Sequence, residues 1–550
     1  TNNSTSGIAE ISPDGRFVAF VSRQDGKQSL IVRQIAANSS VTIVQPTLAS
    51  FHQPSFTPDG EFVFYVLEDK GIGTLHKVST LGGESVKIAI DIDSKVTFSP
   101  DGKRFAFIRH NPNEGGDTIL IANSDGTNIE PFINTKDLSF DRFTGVDWSP
   151  DENKMLVAGF KNDGEVNQRL QLFTVSLTDK NVEQFGNKTW FGAKSFEWTK
   201  DGKGVVLVGK ANSGENTQVW HLAYPSGEMR QITTDTSDYG SVSVSADGST
   251  IVTTRVDTIS SIWSFNPQSR EMRQINAENK NLLGFAGISQ MPDGKILYVK
   301  NVEKDIHIFM LDENGGNEKQ LTTGMGQNIS PVATPDGKYI IFCSNRDSSS
   351  YSVWRMNIDG SNSVRLTNAP NFSDGMTQIT ADGKYVLFMR QTNDGGNSKI
   401  MKVSIDGGEA IPLLPQDSKA EYFPLVSPDN KKLVYHTLNY DDKSGNLFSS
   451  IKIVGFDGEN VNKSVFEKEL KLNPDYKWSP DSKFLTYINR SGIPNLWNIS
   501  LDDLKRETPL TDFNSGMISN FIWSKDGKKL FIIRSVVNTD LVLIKDSNKV

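Results

Sequence analysis

The chain has 550 residues, more than one ordinary hydrophobic core holds, so at least two large domains are expected. Its 36% hydrophobic and 23% charged content belongs to a folded globular chain rather than a disordered one. A net charge of −8 without a long basic run argues against a nucleic-acid partner, and the single cysteine, Cys343, excludes an intramolecular disulfide and a cysteine-built metal site.

The chain opens TNNSTSG, a polar start without the apolar stretch of a signal peptide, and is expected to be part of a longer polypeptide. Its first element, ISPDGRFVAFVS at 11–22, reads as strand, tight turn and strand. Pro13 presets φ for the turn, Asp14 tolerates the next position, and Gly15 takes a left-handed conformation that a Cβ would strain. The same phrase returns as TPDG 57–60, SPDG 99–102, SPDE 149–152, TKDG 199–202 and SADG 245–248. It continues as MPDG 291–294, TPDG 334–337, TADG 380–383, SPDN 427–430, SPDS 479–482 and SKDG 524–527. Successive aspartates of these twelve copies lie 42 to 52 residues apart.

A second phrase follows in most units, as in QVWHLAYPSGEMRQIT 218–233 and VWRMNIDGSNSVRLT 353–367, and reads as a third strand, a turn and a fourth. Four short antiparallel strands per repeat, with almost no helical periodicity, predict an all-β fold of tandem β-propellers. Twelve four-stranded blades divide most simply into two six-bladed rings, residues 1–279 and 280–550, with the seam in AENKNLLG at 277–284. A 7 + 5 division, or one ring inserted in the other, remains open. The last unit offers strands ISNFIWS, KKLFIIRS and DLVLIKD and then stops, so an upstream strand is expected to complete its blade.

Chemistry is sparse along the chain. Six histidines, His52, His76, His110, His221, His307 and His436, fall in different units without the spacing of a shared metal, so neither metal nor cofactor is expected. No GxSxG elbow is present. The P-loop-like run Gly204 to Ala211 has Ala where a Mg²⁺-binding hydroxyl belongs and a strand where a glycine-rich cradle belongs. The recurring turn aspartate is expected to be structural, accepting nearby backbone N–H groups. Trp148, Trp198, Trp478 and Trp523 are expected to pack between blades.

Binding is expected in the variable loops, since the 2–3 loops and the 4–1 crossings differ in length and chemistry while the hairpin turns are uniform. The candidates are Phe51, His52, Arg142, Phe143, Trp190, Phe191 and Tyr239 in the first ring and Phe372, Tyr422, Phe423 and Tyr476 in the second. Aromatics with an occasional Arg suit a protein or peptide partner. The longest 2–3 loop is HTLNYDDKSGNLFSS, 436–450. Apolar runs such as VVLV 205–208 fall far short of the ~20 residues of a membrane helix.

Units such as FSPDGKRFAFIRH resemble the WD-repeat-like blades of the TolB propeller family. The likeness extends through QSLIVRQIA 28–36, VTFSPDGKRFAFIR 96–109 and the ending at 510–546, which look like the C-terminal sensor region of large bacterial membrane serine/threonine kinases. That resemblance implies an extracytoplasmic, non-catalytic sensor module that binds a protein, peptide or small ligand and signals through an upstream domain of the same polypeptide. The same resemblance implies tethering to the membrane by another segment of the full-length protein. The alternatives are a TolB-like periplasmic scaffold that bridges envelope proteins and, from a different class, a propeller hydrolase or lyase. On the motifs present, the chain itself is not expected to be an enzyme.

Overall fold

The computed structural model describes residues 4–545, apart from 25, 70, 112–115, 139, 162–169, 213–214, 281–282, 303–304, 393–397, 415–419, 441–446, 458–460, 471–474 and 503–505. Within the described residues the chain is all-β, with one helical turn at Thr135–Leu138. The opening phrase shows why. Strands Ser4–Ile11, Phe17–Gln24, Lys27–Gln34 and Ser39–Thr47 pair antiparallel in that order. Between the first two, the Ser12 hydroxyl donates to Asp14 Oδ1 (2.6 Å) and the Phe17 N–H to Ser12 Oγ (2.9 Å). The Arg16 N–H closes the turn on Asp14 Oδ1 (3.0 Å), and Gly15 stands at φ +70°. The same side-chain bond recurs from Ser99 to Asp101, Ser245 to Asp247 and Ser524 to Asp526, so the repeated aspartate is the structural acceptor expected. Such bonds favour the ionised form and hold the Asp101 and Asp247 carboxyls down to about 2.

The chain divides into two compact units, Thr1–Asp257 with Val537–Val550, and Thr258–Val536. The division falls inside one strand, Thr250–Phe265, rather than at the 279/280 seam expected from the repeat. In the first unit, five blades of four or five strands are followed by a sixth made from Asp238–Val244, the 250–257 part of Thr250–Phe265 and the 537–545 part of Leu530–Lys545. In the second, five four-stranded blades are joined by one made from Met517–Trp523, the 530–536 part of Leu530–Lys545, the 258–265 part of Thr250–Phe265, and Met272–Gln274. The expected third strand of the last unit, DLVLIKD, is therefore not a separate strand; it continues the second. Most other blades break strand two from strand three at a glycine, as in RQDGK or QTNDGGNS. The links RVDTIS and SVVNTDL hold none and are rich in β-branched residues, and there the chain stays extended.

Each unit closes as a ring of six blades because every space between neighbours is filled. In the first, Val21 and Tyr65 share one cluster, Phe64 and Phe107 the next, Ile119 and Phe143 the third, Leu172 and Leu207 the fourth, and Val208 and Val242 the fifth. Ala9, Val18 and Val252, with Leu541 against them, close the circle. The second unit repeats this from Tyr298 and Phe531 round to Phe265 and Leu496. A lone blade exposes both faces, and burying one large side chain between two blades contributes ~1.5–3 kcal/mol, so the ring is the smallest stable unit.

Candidate binding site on the axis of the first ring

The innermost strand of each blade turns one edge toward the axis. Residue 12 exchanges a ladder bond with residue 17, so the N–H of residue 11, one step earlier, points away from its partner strand and inward. In the first ring four of these six groups meet a polar side chain from the preceding blade. Ile11 donates to Ser243 Oγ (3.2 Å), Trp148 to Thr97 Oγ1 (3.1 Å), Trp198 to Asp147 Oδ2 (2.7 Å) and Val244 to Glu197 Oε2 (3.3 Å). Those acceptors stand two residues before the Ser or Thr of each turn, where all six blades carry a buried polar residue: Glu10, Ser55, Thr97, Asp147, Glu197 and Ser243.

Asp147 Oδ1 takes the Thr97 hydroxyl (2.7 Å), and the free oxygens of Glu10 and Glu197 face a cap of cations and amide. Lys95 Nζ binds both Glu10 oxygens (3.0 and 2.8 Å), and Gln53 Nε2 donates to Glu10 Oε2 (2.9 Å). Ser195 Oγ donates to Gln53 Oε1 (3.1 Å), and Lys200 lies 3.4 Å from Glu197 Oε1. Burial, opposed by Lys95 and reinforced by the Glu197 charge, pushes the Glu10 carboxyl up to about 7. Asp147 is also raised, first by burial and then by Glu197. Although burial works against the Lys95 ammonium, Glu10, Glu197 and Asp147 hold it charged well above the usual lysine range. Three carboxylates against two ammoniums leave one negative charge when all are ionised, and Glu10 can take up a proton near neutrality. The arrangement favours a cationic group at the axis mouth.

None of these residues was singled out from the sequence. The residues that were lie elsewhere. Phe51, Phe143, Trp190 and Tyr239 are buried in interblade clusters, so their rings have no surface for a partner. Phe51 packs 5.7 Å from Tyr65, Trp190 edge-on to Trp220, and the Tyr239 hydroxyl donates to Asp235 (2.8 Å). Half-buried His52 reaches Glu68 (3.1 Å), Arg142 reaches His110 (3.4 Å), and the Phe191 N–H donates to Lys210 O (3.0 Å). In the second ring, Phe372 is exposed with the Arg390 guanidinium 5.8 Å from its centroid. Tyr422, Phe423, His436 and buried Tyr476 follow one another in ring contact, tilted, edge-on and then stacked, with the Tyr476 hydroxyl donating to Phe423 O (3.0 Å). The 2–3 loop candidate at 436–450 lies partly outside the described residues. Among the described residues no group of three His, Cys, Asp or Glu is placed to hold a metal, and no helix is long and apolar enough to cross a membrane.

The fold and axis define a tandem β-propeller scaffold. Residues 3–274 match the lipoprotein LpqB β-propeller domain and residues 284–455 the TolB β-propeller domain, so the chain carries TolB-like propeller domains. An uncharacterised protein of Agrobacterium fabrum is 32% identical over 104 residues, 19% of this chain and 35% of that protein. Dipeptidyl-peptidase 5 of Porphyromonas gingivalis is 23% identical over 197 residues, 34% of this chain and 28% of the peptidase. The TolB homolog of Chlorobium chlorochromatii is 27% identical over 106 residues, 18% of this chain and 22% of that protein. The matched parts thus span about a third or less of each relative. The similarity to a peptidase corrects the expectation that the chain is not an enzyme, which rested on motifs missing from the blades.

Proposed function

We propose that this chain is the recognition part of an extracytoplasmic protein, a TolB-like scaffold that receives a basic or amino-terminal segment of a peptide or protein at the axis of its first ring. The observation that carries this reading is the Lys95–Glu10 pair seated on buried Asp147 and Glu197, three carboxylates against the two ammoniums of Lys95 and Lys200 on a rigid frame. The extracytoplasmic placement is supported by the match to a lipoprotein's propeller. A receptor-type arrangement, with these rings reading a ligand for an upstream signalling domain, is the form implied by the resemblance described above; bridging between envelope proteins is the other.

The test is calorimetric titration with lysine-rich, neutral and glutamate-rich peptides. Binding of the basic peptide alone, weakened about tenfold or more by Glu197→Gln, supports the reading; equal binding of all three, or none, ends it. The similarity to dipeptidyl-peptidase 5 favours a second reading, in which the rings admit peptides to a peptidase. Turnover of a chromogenic dipeptide, blocked by a phosphonate that labels serine hydrolases, would establish it.

A further inference from the structure

The second ring departs from the first at the same register. Two residues before each turn residue, its blades carry Ser289, Val332, Gln378, Leu425, Lys477 and Ile522, polar and apolar in alternation and without a carboxylate. All but Ile522 are partly exposed, whereas the six residues of the first ring's layer are buried. The three polar members lack the bonds of their counterparts. Ser289 Oγ is buried without a hydrogen-bond partner. Neither Gln378 nor Lys477 has a side-chain hydrogen bond or ion pair among the described residues, and burial pulls the Lys477 ammonium below the usual lysine range.

Lys525, on the blade after Lys477, holds the register position of Lys200 in the first ring, yet it too has no ion pair among the described residues. The one carboxylate near Lys477 in sequence, Asp475, is held by Arg490 (3.0 Å). Inward N–H groups persist as well. Thr334, Ser427, Ser479 and Ser524 make the ladder bonds that Ser12 makes, so Ala333, Val426, Trp478 and Trp523 turn their N–H groups to the axis, and among the described residues none of them donates to a side chain. Leu425 O, one residue before Val426, accepts from Trp478 Nε1 (3.0 Å).

We propose that the axis of the second ring binds a compact oxyanion, a carboxylate or phosphate group, with Lys477 as its principal cation, Lys525 as a second, and Ser289 and Gln378 as flanking donors. Two ammoniums without an ion pair among the described residues, with only Asp475 and Asp293 acting on them from a distance, in a partly exposed layer where the sister ring places three carboxylates, form a site that an anion completes.

The experiment is calorimetry on the full chain at constant ionic strength, with inorganic phosphate, a short neutral peptide ending in a free carboxylate, and the same peptide amidated. Saturable one-to-one binding is expected, weakened about tenfold or more by Lys477→Met and retained by Lys477→Arg. Gln378→Glu should abolish it while leaving the fold intact by circular dichroism, because it supplies the counter-ion internally, as Glu10 does for Lys95. Binding of the acid peptide but not its amide identifies a chain-end carboxylate; phosphate binding alone identifies a small ion. No saturable binding by either anion, or equal binding by Lys477→Met, overturns the proposal. These anionic probes are distinct from the basic peptide used for the first ring, so either site can fail without the other.

Discussion

The two rings spend the same backbone on opposite electrostatics. In the first, the layer before the turns is laced: Thr97, Asp147, Glu197 and Ser243 each take an inward N–H from the next blade, the Thr97 hydroxyl donates to Asp147, and Lys95 and Lys200 cap Glu10 and Glu197. In the second, two lysines remain, the carboxylates are gone, and the layer is partly open. A propeller holds together through the apolar clusters between blades. The axial layer is thus left to vary, and what varies is whether its charges answer one another or wait for a ligand.

The sharpest way to break that comparison is to remove one lysine from each axis. Lys95→Met leaves Glu10, Asp147 and Glu197 buried without their shared cation, and breaking a buried pair in this way costs about 3–5 kcal/mol. Lys477→Met removes an uncompensated ammonium and should change stability by less than ~1 kcal/mol, in the stabilising direction. Urea melts of the two variants check this directly, and equal losses would mean that the axes are not different in kind.

A second, smaller effect concerns protons. The Glu10 carboxyl lies near 7 in the fold against 4.5 ordinarily, so the folded state holds this proton more tightly than the unfolded chain does. Its contribution to stability is complete below about 4.5 and is lost as pH rises through about 7. Stability of the first ring should therefore fall between pH 5 and pH 8 by on the order of 1–3 kcal/mol, and Glu10→Gln should remove most of that slope. Thermal melts at several pH values measure it; a slope unchanged in Glu10→Gln would show that the proton resides elsewhere. The second ring's axis, with no carboxylate in this layer, should not contribute to the slope.

Much of this fold was legible in the residues because the repeat writes each blade twice, once in its turn chemistry and once in its alternating strands. Ser12, Asp14 and Gly15 do in three dimensions what their identities dictate. The strands that run from one unit into the other were not legible by the same method, since the repeat marks where chains turn and is silent where a turn is omitted. The signal lay in the missing glycine of RVDTIS and SVVNTDL. The axial cluster was missed for another reason. Glu10, Lys95, Asp147 and Glu197 are each ordinary polar residues on a strand, and only ring closure brings positions 10 and 95 within 2.8 Å. Aromatic residues drew the search instead, and Trp190, Phe143 and Tyr239 proved to be what fills the spaces between blades.

The finest test addresses a single lace. Ser243 is fully buried and its hydroxyl accepts the Ile11 N–H at 3.2 Å, between the sixth blade and the first, where the ring must close. Ser243→Ala leaves that N–H without an acceptor in a dry place, which costs about 1–2 kcal/mol, while the loss of one oxygen disturbs packing little. The matching change in the second ring is Val332→Ala, which removes apolar contact but no acceptor. If lacing closes the first ring, amide exchange at Ile11 and Ala9 should quicken by about tenfold or more in Ser243→Ala, with a much smaller change at Ala333 in Val332→Ala. Equal protection in both variants would leave the apolar cluster of Ala9, Val18 and Val252 as the whole of the closure.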